Sequence, residues 1–168
     1  QVSPIPTAIL STHTGGFGDV VMRDLTDYLA PCLEHYKSQG IEFECVYSGF
    51  LASENQVDHC LEFFRSYPEA FKVVDPVMGD HGKPYKTYTK AMQKRMAELV
   101  RVADLITPNV TEACILLGEE YDHNPITRQQ AKSMLVRLSE MGPRYVVITG
   151  MQLASGTMTN VGYDRERN

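Results

Sequence analysis

Short apolar runs alternate with segments of helical periodicity along this chain, and no other feature limits its fold as strongly. Residues 145–148, with the sequence YVVI, form a nearly continuous apolar run of the kind found in strands that are covered on both faces. Other segments repeat apolar residues at spacings of three and four, which is the periodicity of an amphipathic helix. Strands and helices that alternate in this way favour a mostly parallel sheet with right-handed crossovers. The sequence therefore predicts an α/β fold.

Turn and capping residues set the expected boundaries of these elements. Strands are predicted near 8–10 and at 43–47, 71–74, 105–106, 145–148 and 157–162, the last as an edge strand. Helices are predicted at 19–39, 53–67, 89–102 and 127–141. Asp19 is the expected N-cap of the first helix and Gly40 its stop, while Pro31 is expected to kink the helix or split it in two.

Polar residues follow three of the predicted strands, at the point where each strand ends. The three groups are Asp75, Asn109 with Glu112, and Thr149 with Gly150. The carboxyl ends of parallel strands share one edge of a sheet, and open α/β folds bind their ligands at that edge. The sequence therefore predicts a binding site where these three groups meet.

Each of these groups also has a purely structural interpretation. An aspartate that follows a strand commonly caps a neighbouring amide, and Pro76 next to Asp75 simply takes the chain out of the sheet. Asn109 with Glu112 three residues later is the pattern of a capping box. The start of a capped helix is also a favourable place for a phosphate group, so both interpretations can hold for the same residues.

The segment 11–18 combines hydroxyl side chains, one histidine and three glycines. Such a loop can bring backbone N–H groups close to a ligand, or it can be a flexible connection, and its composition favours neither. His13 alone is weak evidence for a site. Phe50, which follows the strand predicted at 43–47, is either a core residue or a cover for a flat ring bound at the strand end.

Composition excludes several classes of protein. A hydrophobic content of 43% in 168 residues is enough for one packed domain. Sixteen basic against 21 acidic residues, a net charge of −5, argue against a general nucleic-acid or membrane-surface role. No apolar run approaches the ~18 residues that span a bilayer, and no signal-peptide pattern occurs. The four cysteines form no C-x-x-C pair, so neither a zinc nor a redox site is indicated, and a cytoplasmic protein is expected.

Four segments resemble motifs of the pyridoxal, pyridoxine and pyridoxamine kinases, which belong to the ribokinase-like superfamily. They are DPVMGD at 75–80 followed by Gly82 and Tyr85, ADLITPN at 103–109 followed by Glu112 and Ala113, MGP at 141–143 with VVIT at 146–149, and Ser11 with His13, Thr14 and Gly15. All four occur in the family's order and together extend over nearly the whole chain. Single motifs are shared across the superfamily, but their combination is specific to the vitamin B6 kinases.

The resemblance implies a single ribokinase-like kinase domain over 1–168, with a mostly parallel central sheet between helices on both faces. It implies ATP-dependent phosphorylation of the 5′-hydroxymethyl group of a B6 vitamer (pyridoxal, pyridoxine or pyridoxamine). Mg²⁺ would assist the reaction, and K⁺ is a further candidate cation. The implied state is a cytoplasmic homodimer that acts on small molecules, without a nucleic-acid or membrane partner.

The resemblance also assigns roles to individual residues. The implied substrate-binding residues are His13, Thr14, Phe50 and Tyr85. The implied ATP-binding residues are Asp75, Asp80, Asn109, Glu112, Thr149 and Gly150. The implied metal-site residues are Asp75, Thr107 and Glu112. Because Mg²⁺ keeps several of its waters and takes few protein carboxylates, these side chains would act on it largely through water.

Two parts of the family's pattern have no counterpart in this sequence. The family begins with a strand and a small-residue loop that contacts the substrate, and this chain is expected to start after them. The family's G-T-G-D motif, which is absent here, supplies the catalytic base and an anion hole for the transferred phosphate. No catalytic residue is therefore assigned within the chain, which is expected to be incomplete at both ends and inactive by itself.

Three alternatives remain open from the sequence. The first is a hydroxymethylpyrimidine (phosphate) kinase of the same superfamily, although Gly79 and Asp80 and the loop 11–15 match the B6 kinases better. The second is a non-catalytic nucleotide-binding module, which the missing G-T-G-D motif favours. The third and most distant is a metal-dependent hydrolase built on Asp75 and Asp80.

Overall fold

A five-stranded mixed sheet lies at the centre of the computed structural model, which describes residues 2–12, 18–86 and 88–167. In chain order the strands are β1 (Ala8–Leu10), β2 (Met22–Asp24), β3 (Cys45–Ser48), β4 (Phe71–Val74), β5 (Gly79–Asp80), β6 (Lys83–Pro84), β7 (Leu105–Ile106), β8 (Tyr145–Gln152) and β9 (Met158–Asp164). The helices are α1 (Thr26–Ser38), α2 (Glu54–Ser66), α3 (Lys90–Val102), α4 (Val110–Leu117) and α5 (Arg128–Glu140). Two further strand pairs, β1 with β2 and β5 with β6, form small antiparallel sheets of their own.

The central sheet has the strand order β3-β4-β7-β8-β9, and its first four strands are parallel. β9 pairs antiparallel with β8. The register sets Ser48 beside Val74, Val74 beside Ile106 and Ile106 beside Val146. The carboxyl ends of β3, β4 and β7 therefore lie at one edge, next to the middle of β8. The predicted α/β fold with a mostly parallel central sheet is confirmed.

The core lies between one face of this sheet and the helices. Val74 and Ile106 of the sheet and Leu99 of α3 are fully buried and belong to one hydrophobic cluster. Complete burial of such a side chain contributes about 1.5–3 kcal/mol. Residues that alternate with these along each strand point to the opposite face. On that face Tyr47 and Phe71 keep 60% and 39% of their surface exposed.

The first predicted helix, 19–39, is wrong over its N-terminal part. β2 occupies the middle of this region because its backbone pairs with β1, a partner that lies too far along the chain for local periodicity to indicate. α1 begins only at Thr26. Its approach is fixed by Asp24 rather than Asp19, since Asp24 Oδ1 accepts a hydrogen bond from Thr26 N at 2.7 Å. The helix then runs through Pro31 without being split.

The predicted end of the strand at 145–148 is also wrong. β8 continues through Thr149 and Gly150 to Gln152, because β9 pairs with it over this length. The register between the two strands shifts between Ile148 and Met151, which marks a β-bulge. Gly150 lies inside this irregularity with a φ of 61°, a value that side chains other than glycine rarely adopt. Thr149 and Gly150 therefore belong to a bulge within a strand and not to a strand end.

Other boundaries agree closely with the sequence. β4 and β7 match the predicted strands at 71–74 and 105–106, while β3 is shifted by one or two residues toward the C-terminus. α3 begins after Thr89, whose Oγ1 accepts a hydrogen bond from Met92 N. α5 begins after Thr127 with a capping box formed by Gln130. Within the described residues, no helix is both long enough and apolar enough to cross a membrane.

Candidate active site

Backbone hydrogen bonds join the strand ends into one continuous edge. Asp75 N donates to Ser48 O at 2.9 Å, so the end of β4 is held against the end of β3. Thr107 N donates to Val74 O at 3.1 Å, which holds the end of β7 against β4. Thr149 N donates to Pro108 O at 2.9 Å, which joins the bulge of β8 to the segment after β7. The three polar groups that the sequence singled out therefore lie side by side.

Asp75 is half-buried at this edge, and its carboxylate is held by a tyrosine on the neighbouring strand. Tyr47 Oη donates a hydrogen bond to Asp75 Oδ2 at 3.1 Å. Burial raises the pKa of Asp75, and the hydrogen bond from Tyr47 partly offsets that rise. Although most of the Tyr47 side chain is exposed, desolvation raises its pKa to about 12, and the charge of Asp75 adds to the rise. The phenol therefore stays a hydrogen-bond donor at neutral pH.

Glu112 is the most buried charged group of the edge, with 3% of its surface exposed. It completes the predicted capping box of α4, since Asn109 N donates to Glu112 Oε2 at 2.8 Å and Glu112 N donates to Asn109 Oδ1 at 2.9 Å. Its other oxygen, Oε1, accepts a hydrogen bond from Met78 N at 3.1 Å. Burial raises the pKa of Glu112 to about 7 against these backbone hydrogen bonds, and the nearby charge of Asp75 adds to the rise.

Glu112 thus does more than cap a helix, because it also ties α4 to the loop that follows Asp75. Asn109 reinforces the same connection, since its Nδ2 donates a hydrogen bond to Gly79 O at 2.9 Å. Both the capping interpretation and the site interpretation of Asn109 and Glu112 therefore hold in the structure. The loop and the first turn of α4 form one hydrogen-bonded unit.

Asp80 lies in a tight hairpin between β5 and β6, where the sequence predicted only a loop. Asp80 pairs with Lys83 across two turn residues, His81 and Gly82, whose φ values of 49° and 78° fit a type I′ turn. The carboxylate of Asp80 is half exposed, accepts a hydrogen bond from His81 N at 2.8 Å and lies 3.6 Å from His81 Nε2. Among the described residues, no hydrogen bond ties this carboxylate to the buried part of the edge.

Tyr85 and Phe50 flank the edge on different elements. Tyr85 N donates to Met78 O at 2.9 Å, and burial followed by the charges of Asp80, Glu112 and Asp75 raises the pKa of its phenol. Phe50 packs edge-on against Tyr88 with ring centroids 6.2 Å apart. Tyr85 therefore lies within the electrostatic field of the acidic groups, and Phe50 borders the site at the end of β3.

Two of the predicted site residues cannot be placed. His13 and Thr14 lie outside the described residues, so their predicted contacts with a substrate stay predictions.

Thr149 and Gly150 lie beside Asn109, because Asn109 and Thr149 form a parallel β-bridge. Gly150 N donates a hydrogen bond to Asn160 Oδ1 at 3.0 Å.

The donor set at this edge fits a magnesium ion held mainly through water. Asp75 and Glu112 are two carboxylates close enough for the charge of Asp75 to raise the pKa of Glu112. Thr107, a half-buried residue, follows β7 directly and is held against the end of β4 through its backbone N–H. Within the part of the chain that the structure describes, no three His, Cys, Asp or Glu side chains form a metal-binding group. Mg²⁺ suits such a site because it keeps several waters and takes one or two carboxylates.

Two residues of the site gave no signal in the sequence. Tyr47 lies beside Val73 in the parallel register, and Val73 points to the same side of the sheet as Asp75 two residues later. Tyr47 can therefore contact Asp75. Thr111, at the second position of α4, accepts a hydrogen bond from Gly82 N. Both contacts depend on which strand neighbours which, and sequence spacing does not indicate that.

A mostly parallel sheet whose carboxyl edge carries two carboxylates and a capped helix start defines an α/β protein suited to an anionic ligand that brings a cation. A family model described as phosphomethylpyrimidine kinase matches residues 5–168, and the chain belongs to this family. The resemblance to vitamin B6 kinases that the motifs indicated is confirmed by a pyridoxal kinase of Deinococcus radiodurans, which is 26% identical over 96% of this chain and 56% of its own length.

Other similar proteins carry names from thiamine biosynthesis or the name phosphomethylpyrimidine kinase. The thiamine biosynthetic bifunctional enzyme of Arabidopsis thaliana chloroplasts is 32% identical over 88% of this chain and 27% of its own length. A protein of Bacteroides thetaiotaomicron, named as a phosphomethylpyrimidine kinase and crystallised with pyridoxal, is 34% identical with a TM-score of 0.92. That match covers 100% of this chain and 59% of the solved chain. The chain thus spans about half the length of most relatives that it matches.

Proposed function

We propose that the whole protein phosphorylates the 5′-hydroxymethyl group of a vitamin B6 vitamer with ATP. The observation that carries this proposal is the strand-end edge itself, where Asp75 and the capping box of Asn109 and Glu112 meet in a chain of a kinase family. The motif combination favours pyridoxal, pyridoxine or pyridoxamine as acceptor. A structural relative that was crystallised with pyridoxal supports the same acceptor class.

The geometry suits phosphoryl transfer, in which catalysis is mostly positioning and charge neutralisation. Asp75 and Glu112 would hold Mg²⁺ largely through water, and the bound ion would neutralise charge on the phosphate groups. Asn109 and Thr149 would contact the phosphates from adjacent positions of the edge. Asp80 would approach the nucleotide from the hairpin above.

The acceptor would lie at the end of β3. Phe50 and Tyr85 border that region from two elements, and a flat pyridine ring is a suitable partner for an aromatic side chain. His13 and Thr14 would contribute hydrogen bonds to the ring substituents. The resemblance further supports a cytoplasmic homodimer and K⁺ as an additional cation.

A hydroxymethylpyrimidine kinase is the second candidate function. The family model carries the description phosphomethylpyrimidine kinase, and the Arabidopsis relative that is 32% identical is a thiamine biosynthetic enzyme. Both acceptors are flat heteroaromatic rings with a hydroxymethyl group.

Turnover by the polypeptide of the complete reading frame tests the proposal. The protein is incubated with Mg–ATP and pyridoxal, and pyridoxal 5′-phosphate is measured by mass spectrometry together with ADP. The proposal predicts one phosphorylated vitamer for each ADP formed. A folded protein that forms no phosphorylated vitamer from pyridoxal, pyridoxine or pyridoxamine would contradict it.

Tyr47→Phe tests the contact between Tyr47 and Asp75. Loss of the single hydroxyl frees Asp75 Oδ2, and we expect the KM for Mg–ATP to rise about three- to tenfold with a smaller change in kcat. Steady-state kinetics at varied Mg–ATP and saturating vitamer measures the effect. Tyr145→Phe is the matched control, because Tyr145 lies at the opposite end of the same sheet, where it pairs with Leu105 and its ring lies near Phe71. Equal KM values for wild type and Tyr47→Phe would show that the contact does not matter.

A further inference from the structure

The hairpin of β5 and β6 is attached to α4 through one buried hydroxyl that no motif indicated. Thr111 keeps only 3% of its surface exposed, and its Oγ1 accepts a hydrogen bond from Gly82 N at 2.9 Å. A buried hydroxyl without a partner costs free energy. The N–H of Gly82 thus supplies the hydrogen bond that the buried hydroxyl of Thr111 accepts.

Gly82 fits closely against a second element at the same point. Its φ of 78° is a left-handed value, and a Cβ at this position would lie 2.7 Å from Tyr121 Cδ1. Tyr121 packs against the main core and stacks edge-on with His123 at 5.0 Å between ring centroids. The tip of the hairpin is therefore held between the hydroxyl of Thr111 and the ring of Tyr121.

The first turn of α4 contacts three backbone groups of the segment 78–82. Glu112 accepts a hydrogen bond from Met78 N, Asn109 donates to Gly79 O, and Thr111 accepts from Gly82 N. The first two contacts fix the base of the hairpin, and of these three only the contact of Thr111 fixes its tip. The hairpin carries Asp80 and leads directly to Tyr85, so its orientation sets where these two residues lie.

We propose that Thr111 is a positioning residue that docks the hairpin tip onto α4 and so sets the position of Asp80 and Tyr85 over the strand-end edge. Thr111 itself does not touch a reacting group. The consequence for nucleotide binding rests on the proposed function, whereas the docking contact does not.

A purely structural role for Thr111 makes a different prediction. If the side chain only fills space, valine should replace it without loss, because the two side chains have nearly the same shape. If the hydroxyl docks the hairpin, valine should release the tip and serine should hold it. The pair of variants therefore separates shape from hydrogen bonding.

The experiment compares Thr111→Val and Thr111→Ser with wild type, in the polypeptide of the complete reading frame. Amide hydrogen exchange of Gly82 reports docking, and calorimetric titration with a magnesium complex of a non-hydrolysable ATP analogue reports nucleotide affinity. We expect Thr111→Val to speed exchange at Gly82 and to raise the Kd of the nucleotide about three- to tenfold. Thr111→Ser should restore both values. Thr157→Val, which removes an exposed hydroxyl in the turn between β8 and β9, should match wild type in both.

Two results for Thr111→Val would overturn the inference directly: exchange at Gly82 as slow as in wild type, or faster exchange without a change in the Kd of the nucleotide. Thr111→Ser would overturn it if serine failed to restore slow exchange at Gly82. A rise in exchange in Thr111→Val that is equally large across α2 and α3 would also overturn it. The last would mark Thr111 as a residue of general core stability. The two proposals separate clearly. A wild type that binds the nucleotide complex but phosphorylates no vitamer contradicts the proposed function, while Gly82 exchange and nucleotide affinity still decide the role of Thr111. A wild type that binds no nucleotide would contradict the proposed function and its consequence for Thr111, while Gly82 exchange still decides the docking contact.

Discussion

Asp75→Asn is expected to lower kcat/KM for Mg–ATP by about 10²–10³-fold, the range seen when a preorganised electrostatic contact of a transition state is removed. The asparagine side chain keeps the shape of Asp75 and can still accept the hydrogen bond from Tyr47. The asparagine lacks the negative charge with which we propose that Asp75 holds Mg²⁺. Affinity for the vitamer should therefore change much less than use of Mg–ATP, which initial rates at varied nucleotide and varied vitamer separate.

Asp104→Asn is the matched control for this prediction. Asp104 is a half-buried aspartate directly before β7, at the opposite end of the strand, and its Oδ2 accepts a hydrogen bond from Lys72 N at 2.7 Å. Its replacement can affect stability but should leave the nucleotide kinetics near wild type. Equal losses of nucleotide use and vitamer affinity in Asp75→Asn would contradict the role that we give to Asp75.

Glu112→Ala is expected to have the largest effect on stability. The truncation leaves two backbone N–H groups, those of Met78 and Asn109, without their acceptor. Each unpaired buried donor costs about 1–3 kcal/mol, so the free energy of unfolding should fall by about 2–6 kcal/mol. Urea titration followed by circular dichroism measures it. Glu54→Ala, at an exposed position of α2, should change the value little, and a comparable loss in both variants would contradict the role of Glu112 in joining α4 to the loop.

The raised pKa of Glu112 adds a dependence on pH with a definite sign. Its folded-state pKa of about 7 lies above its ordinary value of 4.5, because burial disfavours the charged form. The stabilisation from the neutral form is therefore complete below about 4.5 and is lost as the pH rises through about 7. Each unit of pKa difference corresponds to about 1.4 kcal/mol.

Glu112→Gln isolates this contribution, since glutamine has the same size and does not titrate. The free energy of unfolding of wild type should fall relative to Glu112→Gln between about pH 4.5 and pH 7. Urea titrations of both proteins across this range measure the difference. A difference that stays constant with pH, or that changes in favour of wild type as the pH rises, would show that Glu112 is not held in a desolvated position.

Local sequence signals predicted the elements that define the edge. The β-branched run before Asp75, the helical periodicity that begins near Thr89 and Thr127, and the capping box of Asn109 with Glu112 are all local features of the chain. Once the strands are taken to be parallel, their carboxyl ends must meet at one edge of the sheet. The arrangement of these residues could therefore be inferred from the order of residues along the chain.

The features that the sequence did not reveal depend on pairing between distant segments. β2 forms because β1 lies beside it, and Gly150 enters a bulge because β9 extends β8 beyond its apolar run. Tyr47 reaches Asp75 through the register of β3 with β4, and Thr111 reaches Gly82 through the fold of the hairpin. Neither the contact of Tyr47 with Asp75 nor that of Thr111 with Gly82 can be recognised from the spacing of these residues along the chain.

The acceptor preference of the complete polypeptide tests the central claim most directly. The measurement is kcat/KM for pyridoxal and for hydroxymethylpyrimidine at saturating Mg–ATP, with the phosphorylated products identified by mass. We predict that the value for pyridoxal, or for another B6 vitamer, exceeds that for hydroxymethylpyrimidine by about 10–200-fold, a range typical of discrimination between similar ligands. A preference of the same size for hydroxymethylpyrimidine, or turnover of neither acceptor by a folded protein, would contradict that claim.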